Sequence, residues 1–177
     1  VSVPIERRRP SAARQDEPEV IERALDRATG SRPIPGNAIR HIPDSAAALE
    51  LMLETIAAAT SWVHFENYII RGDATGRRFA GALAERARAG VAVRVLYDAF
   101  GSLGTPRRFW RALQATGVEV RPFRPLLSTP PHLALRRDHR KFLGTDGVDA
   151  VLGGICIGDD WAGDPARHRQ PWRDTAV

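Results

Sequence analysis

From Asp44 onward the spacing of apolar positions alternates between two periods. Leu49, Met52, Leu53 and Ile56 fall at i, i+3, i+4 and i+7, which predicts a helix capped by Asp44 or Ser45. Ser61–Ile70 is rich in aromatic and β-branched residues and predicts a strand, broken at Arg71-Gly72-Asp73. A second helix, about Thr75–Ala89, carries Phe79, Leu83 and Ala87 on one side and stops at Gly90. Val91–Tyr97 is a nearly continuous apolar run, the pattern of a strand buried on both faces. Thr105-Pro106 opens a third helix with Pro at its first position, and Gly117 closes it. Val118–Phe123 predicts another strand, and residues 124–138 a Pro- and Arg-rich loop. Lys141–Thr145 and Val148–Leu152 then flank Asp146-Gly147, a hairpin-turn signal.

Strand–helix alternation with short joints argues for parallel strands with helices across the sheet, an α/β fold. Upstream the pattern is weaker. Residues 1–16 show no periodicity and read as a mobile arm. Glu17–Ala28 predicts a short helix through Val20, Ile21 and Leu25, ended by Gly30, and residues 31–43 read as a loop. The organisation expected is therefore an arm and short helix over residues 1–35, followed by one domain over 36–177. A chain of 177 residues suits that count.

No run approaches the roughly 20 apolar residues that a membrane-spanning helix needs. The N-terminus VSVPIERRRP has basic residues without an apolar stretch behind them and does not read as a secretory signal. The single cysteine, Cys156, excludes a disulfide framework and a multi-cysteine zinc site. The net charge of +5 favours an anionic partner, nucleic acid or a phospholipid surface. Lysine appears once, as Lys141, in a chain that otherwise uses arginine. A compact ammonium on a flexible stem is a different chemical tool from a guanidinium.

Lys141 lies in Arg137-Asp138-His139-Arg140-Lys141-Phe142-Leu143-Gly144-Thr145-Asp146. If the strand begins at His139, alternation places His139 and Lys141 on one side. An imidazole and an ammonium together suit an anionic, oxygen-rich group such as a phosphate. A neutral imidazole can attack phosphorus, and the ammonium can neutralise charge building on the phosphoryl oxygens. A second group with a pKa near neutrality must protonate the departing alkoxide. No metal or other cofactor is required. Asp146, in the turn, either orients a neighbour or holds the turn. Gly153-Gly154, followed by Ile155, Cys156, Ile157, Gly158 and Asp159, lets a backbone or ligand come close.

This ordered set resembles the phospholipase D superfamily, whose signature is His-x-Lys-x-x-x-x-Asp, the HKD motif. His139, Lys141 and Asp146 fit its spacing. Gly153-Gly154 fall where the family has Gly-Gly or Gly-Ser. The arrangement looks most like the bacterial cardiolipin synthase branch. Glu66-Asn67-Tyr68-Ile69, Asp73, Gly76, Gly90-Val91, Tyr97-Asp98, Gly101-Ser102 and Trp172-Arg173-Asp174-Thr175 also fit that branch, so the resemblance covers about Gly36 to Val177. It implies an α/β/α sandwich with a mixed, largely parallel sheet. It implies His139 as the nucleophile, Lys141 binding the phosphoryl group, and Asp174 accepting a hydrogen bond from the motif histidine. Asp146 is then better read as structural. Gly153, Gly154, Cys156 and Glu66 would border the substrate.

Three departures qualify the resemblance. Cys156 stands where many members have Asn, and reads as a small buried hydrophobe. Gly144-Thr145 replaces an aliphatic pair, which weakens strand packing. One HKD motif is present where two-motif members build one site from both halves. The chain is then expected to be the first half of a phosphatidyltransferase or phosphodiesterase, apparently truncated, completed by a second HKD half or by a homodimer. The alternatives are a homodimeric single-motif nuclease and an inactive half-domain. Partners expected are a phospholipid substrate, peripheral membrane contact through rim residues such as Phe142, Trp161 and Trp172, and nucleic acid only under the nuclease alternative. The location expected is cytoplasmic or peripheral to the inner membrane. His64 reads as a hydrogen-bonded core histidine, His132 and His168 as loop residues, and Arg136, Arg137 and Arg140 as a basic loop around His139.

Overall fold

The computed structural model describes residues 17–30, 34–125, 127–164 and 168–177. The arm expected over residues 1–16, with Arg7-Arg8-Arg9, lies outside them. The chain divides into two compact units, Val1–Ile39 and Arg40–Val177. In the first, α1 (Glu17–Thr29) forms where its pattern predicts, and Gly30 follows it with positive φ.

The second unit runs α2 (Ser45–Ala58), β1 (Trp62–Asn67), α3 (Ala74–Arg88), β2 (Ala92–Asp98), α4 (Arg107–Gln114), β3 (Glu119–Phe123), α5 (Pro131–Ala134), β4 (Lys141–Thr145), β5 (Asp149–Leu152) and α6 (Asp159–Ala162). Helix starts have local causes. The Asp44 carboxylate accepts the Ala47 N–H, and Asp73 accepts that of Gly76. At α4 the proline sits one place earlier than expected, as the N-cap rather than the first helical residue.

The five strands form one sheet in the order β3-β2-β1-β4-β5. β1, β2 and β3 are parallel, while β4 is antiparallel to β1 and to β5. The sheet is thus mixed, as expected, with the Asp146-Gly147 turn joining its antiparallel hairpin. Register explains the core. Val120, Val95, Phe65, Leu143 and Val151 are successive partners across all five strands, and each is buried. Phe79 of α3 stacks on Phe65, with ring centroids 5.8 Å apart, and Trp110 of α4 stacks on Tyr97 at 3.7 Å. Leu49, Met52 and Ile56 of α2 join the same core.

The neighbouring row, Arg121, Leu96, Glu66, Phe142 and Leu152, points the other way, and none of these residues is fully buried. This explains two differences from the sequence reading. β2 is buried at alternate positions, with Arg94 exposed between Val93 and Val95, rather than on both faces. His64 is not a core histidine. It lies half-buried on the open face, against the Trp62 ring at 4.5 Å and 3.4 Å from an Arg94 nitrogen. β1 also stops three residues short of Ile70, because Ile69 and Ile70 turn away to bond Ile157 and Ser102. Gly144 does not loosen its strand. The Phe142 ring folds over it, and a Cβ there would lie 2.6 Å from Phe142 Cζ.

Candidate active site

The His139–Lys141 pair lies where β4 enters the sheet beside the carboxyl end of β1, since Lys141 pairs with Asn67. Catalytic groups of open α/β sheets commonly gather at that edge. His139 is exposed and Lys141 is buried. The Lys141 Nζ lies 3.0 Å from His139 Nδ1 and donates to the His139 carbonyl at 2.8 Å. It also sits 5.4 Å from the centre of the Tyr68 ring, whose face touches His139 at 4.5 Å between centroids. Among the described residues no carboxylate pairs with this ammonium. A buried cation without an anion is costly, and an anionic group placed beside Lys141 would offset that cost.

Glu66, Asp138 and Arg140 flank the pair. Glu66 and Arg140 line the same surface cleft as His139, Lys141 and Gly153. Larger concavities lie between α3 and α4 and on the open sheet face, and neither contains His139 or Lys141. Arg140 Nε donates to Asp138 Oδ1 at 2.9 Å, and its Nη2 lies 2.8 Å from Glu66 Oε1. That second contact is an ion pair without a hydrogen-bonding angle. Burial raises the Glu66 carboxyl to about 7, helped by a hydrogen bond with Asp138 and the charge of that group. Asp138 goes the other way. Burial raises it, but the hydrogen bonds from Glu66 and Arg140 outweigh that and hold it below the ordinary range.

Asp146 is remote from this cleft chemistry. Its Oδ2 accepts from Thr60 N and Oγ1, and its Oδ1 from Ser61 N and Trp62 N. Backbone donors from Trp62, Thr60 and Ser61 hold its carboxyl far below the usual range. It ties the hairpin turn to the start of β1. Gly153 and Gly154 serve the C-terminal segment. A Cβ on Gly153 would strike the Thr175 carbonyl, and one on Gly154 would strike the Asp174 carboxylate. Asp174 is thereby brought against the glycine pair, with its Oδ1 accepting from Thr175 N at 2.8 Å. The hydrogen bond between His139 and Asp174 that the resemblance implies is not formed among the described residues, and His139 Nδ1 lies instead 3.0 Å from Lys141 Nζ. Cys156 is buried, and burial pushes its thiol up, away from reactivity.

Three residues that the sequence reading names without a role matter here. Tyr68 seats both members of the pair. Asp98 is buried and accepts from Phe100 N, Gly101 N and Asp138 N, so it joins the loop after β2 to the residue before His139. Asp138 was read only as part of the motif stretch, yet it anchors Arg140. Only Asp98 had a local signal, an Asp followed by a Phe-Gly turn. The expected membrane-rim aromatics are not at the cleft mouth as a group. Trp161 is buried against Trp172, with ring centroids 5.0 Å apart.

No family model matches the chain. Sequence relatives do. The major cardiolipin synthase ClsA of Bacillus subtilis is 34% identical over 80% of this chain, and cardiolipin synthase A of Pseudomonas aeruginosa PAO1 is 35% identical over 86%. The chain belongs to the phospholipase D superfamily. It spans only 29% and 31% of the length of those two relatives. Solved structures agree on the fold of this superfamily member. Nuc from Salmonella typhimurium, a phospholipase D family member, superposes with a TM-score of 0.55 at 17% identity, covering 77% of this chain and 80% of its own. Phosphatidylserine synthase of Haemophilus influenzae gives a TM-score of 0.59 at 16% identity, covering 77% of this chain and 32% of that one. Among the described residues, no helix is long and apolar enough to cross a membrane and no group of side chains could hold a metal ion.

Proposed function

We propose that this chain is one half of a phospholipase D-like phosphatidyltransferase or phosphodiesterase, acting on a phospholipid in the manner of a cardiolipin synthase. The observation that carries the reading is the buried Lys141 ammonium, held 3.0 Å from His139 Nδ1 without a carboxylate partner. A phosphodiester supplies the missing anion.

The chemistry follows from the pair. An ammonium only donates, so in this structure His139 Nδ1 accepts and the neutral ring carries its proton on Nε2. Entry of the phosphodiester draws Nζ to the phosphoryl oxygens. The ring then exchanges protons with water, losing that on Nε2 and gaining one on Nδ1, for which Asp174 would be the acceptor, and Nε2 is bare. Nε2 attacks phosphorus, the P–N bond forms and the P–O bond to the leaving alcohol breaks. The departing alkoxide takes its proton from an acid supplied by a second HKD half or a second copy of the chain. An acceptor alcohol or water, giving its proton to the base which that acid has become, then attacks phosphorus, the P–N bond breaks, and His139 is restored.

A second reading, a self-sufficient homodimer of single-motif chains acting on nucleic acid, draws on the fold likeness to the similarly sized Nuc chain. One experiment addresses both. Solution mass by light scattering is measured with turnover of a generic phosphodiester on the same sample. Turnover carried by a dimer and lost in His139→Asn supports the self-sufficient site. A monomer that turns over only when a second HKD half is added supports the half-site. Turnover that survives His139→Asn overturns the role of His139 in either.

A further inference from the structure

The edge of the sheet that holds His139 and Lys141 also carries an unusual surface. The loop after β2 has its polar groups turned inward. Asp98 takes the N–H groups of Phe100 and Gly101, Ser102 Oγ donates to the Tyr68 carbonyl, and Thr105 Oγ1 donates to the Ile70 carbonyl. The large apolar side chains of the same loop are turned outward. Phe100 and Leu103 are 55% and 65% exposed, and Leu127 and Leu135, on the neighbouring segment after β3, are 94% and 91% exposed. That segment is also pinned, since Arg124 donates to the carbonyls of Leu133 and Arg136. An immobilised loop that displays apolar side chains to water costs free energy unless something covers them.

Charge indicates what covers them. Arg107, Arg108 and Arg111 of α4, and Arg136 beside Leu135, are exposed, and among the described residues none forms an ion pair with a carboxylate. Arg78, Arg86, Arg94 and Arg140 elsewhere each sit on one. Arg107 lines one concavity with Leu103 and Leu127, and Arg136 follows Leu135 in the chain; unpaired guanidinium groups beside exposed leucines match a surface with anionic phosphates outside and hydrocarbon beneath. A nucleic acid offers the phosphates but no place for aliphatic leucines.

We infer that the 99–106 loop and the 127–136 segment form a docking rim for an anionic phospholipid bilayer, with Phe100, Leu103, Leu127 and Leu135 entering the interface and Arg107 and Arg136 contacting headgroup phosphates. The rim rests on the phospholipid reading above, and it would hold the His139–Lys141 pair at headgroup level. Asp98 and Tyr68 link the rim to the pair directly.

The test is vesicle co-sedimentation of this chain, which needs no turnover. The rim predicts binding to phosphatidylglycerol–phosphatidylcholine vesicles, weaker in high salt, and little binding to phosphatidylcholine alone. Arg107→Ala should weaken binding roughly fivefold, the worth of one cation near such a surface. Phe100→Ser with Leu103→Ser should weaken it further while leaving the circular-dichroism spectrum unchanged. A Leu103→Trp variant should show emission shifted to shorter wavelength on anionic vesicles and quenched by lipids brominated in their acyl chains. Absence of vesicle binding, undiminished binding by the double serine variant, an unshifted Leu103→Trp spectrum, or binding of a single-stranded oligonucleotide in place of vesicles each overturns the rim. A chain that docks yet never turns over, even with a second HKD half added, leaves the rim standing and removes the enzymatic reading. A chain that turns over a soluble phosphodiester without docking does the reverse.

Discussion

Single side chains set the chemistry, and their legibility differed for physical reasons. His139, Lys141 and Asp146 were visible because their spacing along one strand and turn is local. The contacts of Tyr68 with the pair and those among Asp138, Arg140 and Glu66 depend on β4 entering beside β1, which no local pattern encodes. Glu66 carries a pH consequence. Its carboxyl is raised to about 7 in the folded chain from an ordinary 4.5, mainly by burial. The folded state therefore binds that proton more tightly than the unfolded state. Its contribution to stability is fully present below pH 4.5 and is lost as pH rises through 7. The depressed Asp138 has the opposite sign and is lost towards acid, below that window. Glu66→Gln is expected to remove a loss of about 1–2 kcal/mol between pH 4.5 and 7, read from urea melts across that range. Asp146 behaves as a turn anchor with a depressed carboxyl. Asp146→Asn should lower Tm at neutral pH, and the gap should close as acid protonates the wild-type carboxylate.

At the level of elements, the alternation of α2, α3 and α4 with strands was legible because α2 and α3 start at Asp caps and α3 and α4 run into Gly90 and Gly117, both with positive φ; α5 has neither signal. Faces were less so. The run Val91–Tyr97 is apolar enough to suggest double burial, yet register assigns Val93 and Val95 to the core and leaves Arg94 on the open side. Phe65 lies at the middle of the row that joins all five strands and stacks on Phe79. Phe65→Ala should cost about 3–5 kcal/mol, seen as a lower urea midpoint. Gly154 is the tightest joint between the glycine pair and the C-terminal segment. Gly154→Ala would push the Asp174 carboxylate aside and weaken the backbone bond from Gly154 N to the Thr175 carbonyl. Faster amide exchange at Gly154 than in wild type, with β1 and β2 unchanged, is the expected signature.

The whole molecule has a finished core on one sheet face and a charged, half-buried surface on the other. Its order of motifs made the superfamily legible from the sequence, and the relatives' greater length places this chain against about a third of each. What sequence order does not carry is the free-state arrangement of the pair, where Lys141 holds His139 Nδ1 and Asp174 waits at Gly154. That arrangement makes the central claim accessible without a second half. A tetrahedral oxyanion should draw the ammonium away from the imidazole. NMR titration with vanadate is the most direct measurement. The account predicts saturable shifts of the His139 ring resonances that disappear in Lys141→Met. His139 resonances that ignore vanadate, or that respond equally in Lys141→Met, would contradict a phosphoryl site built on this pair.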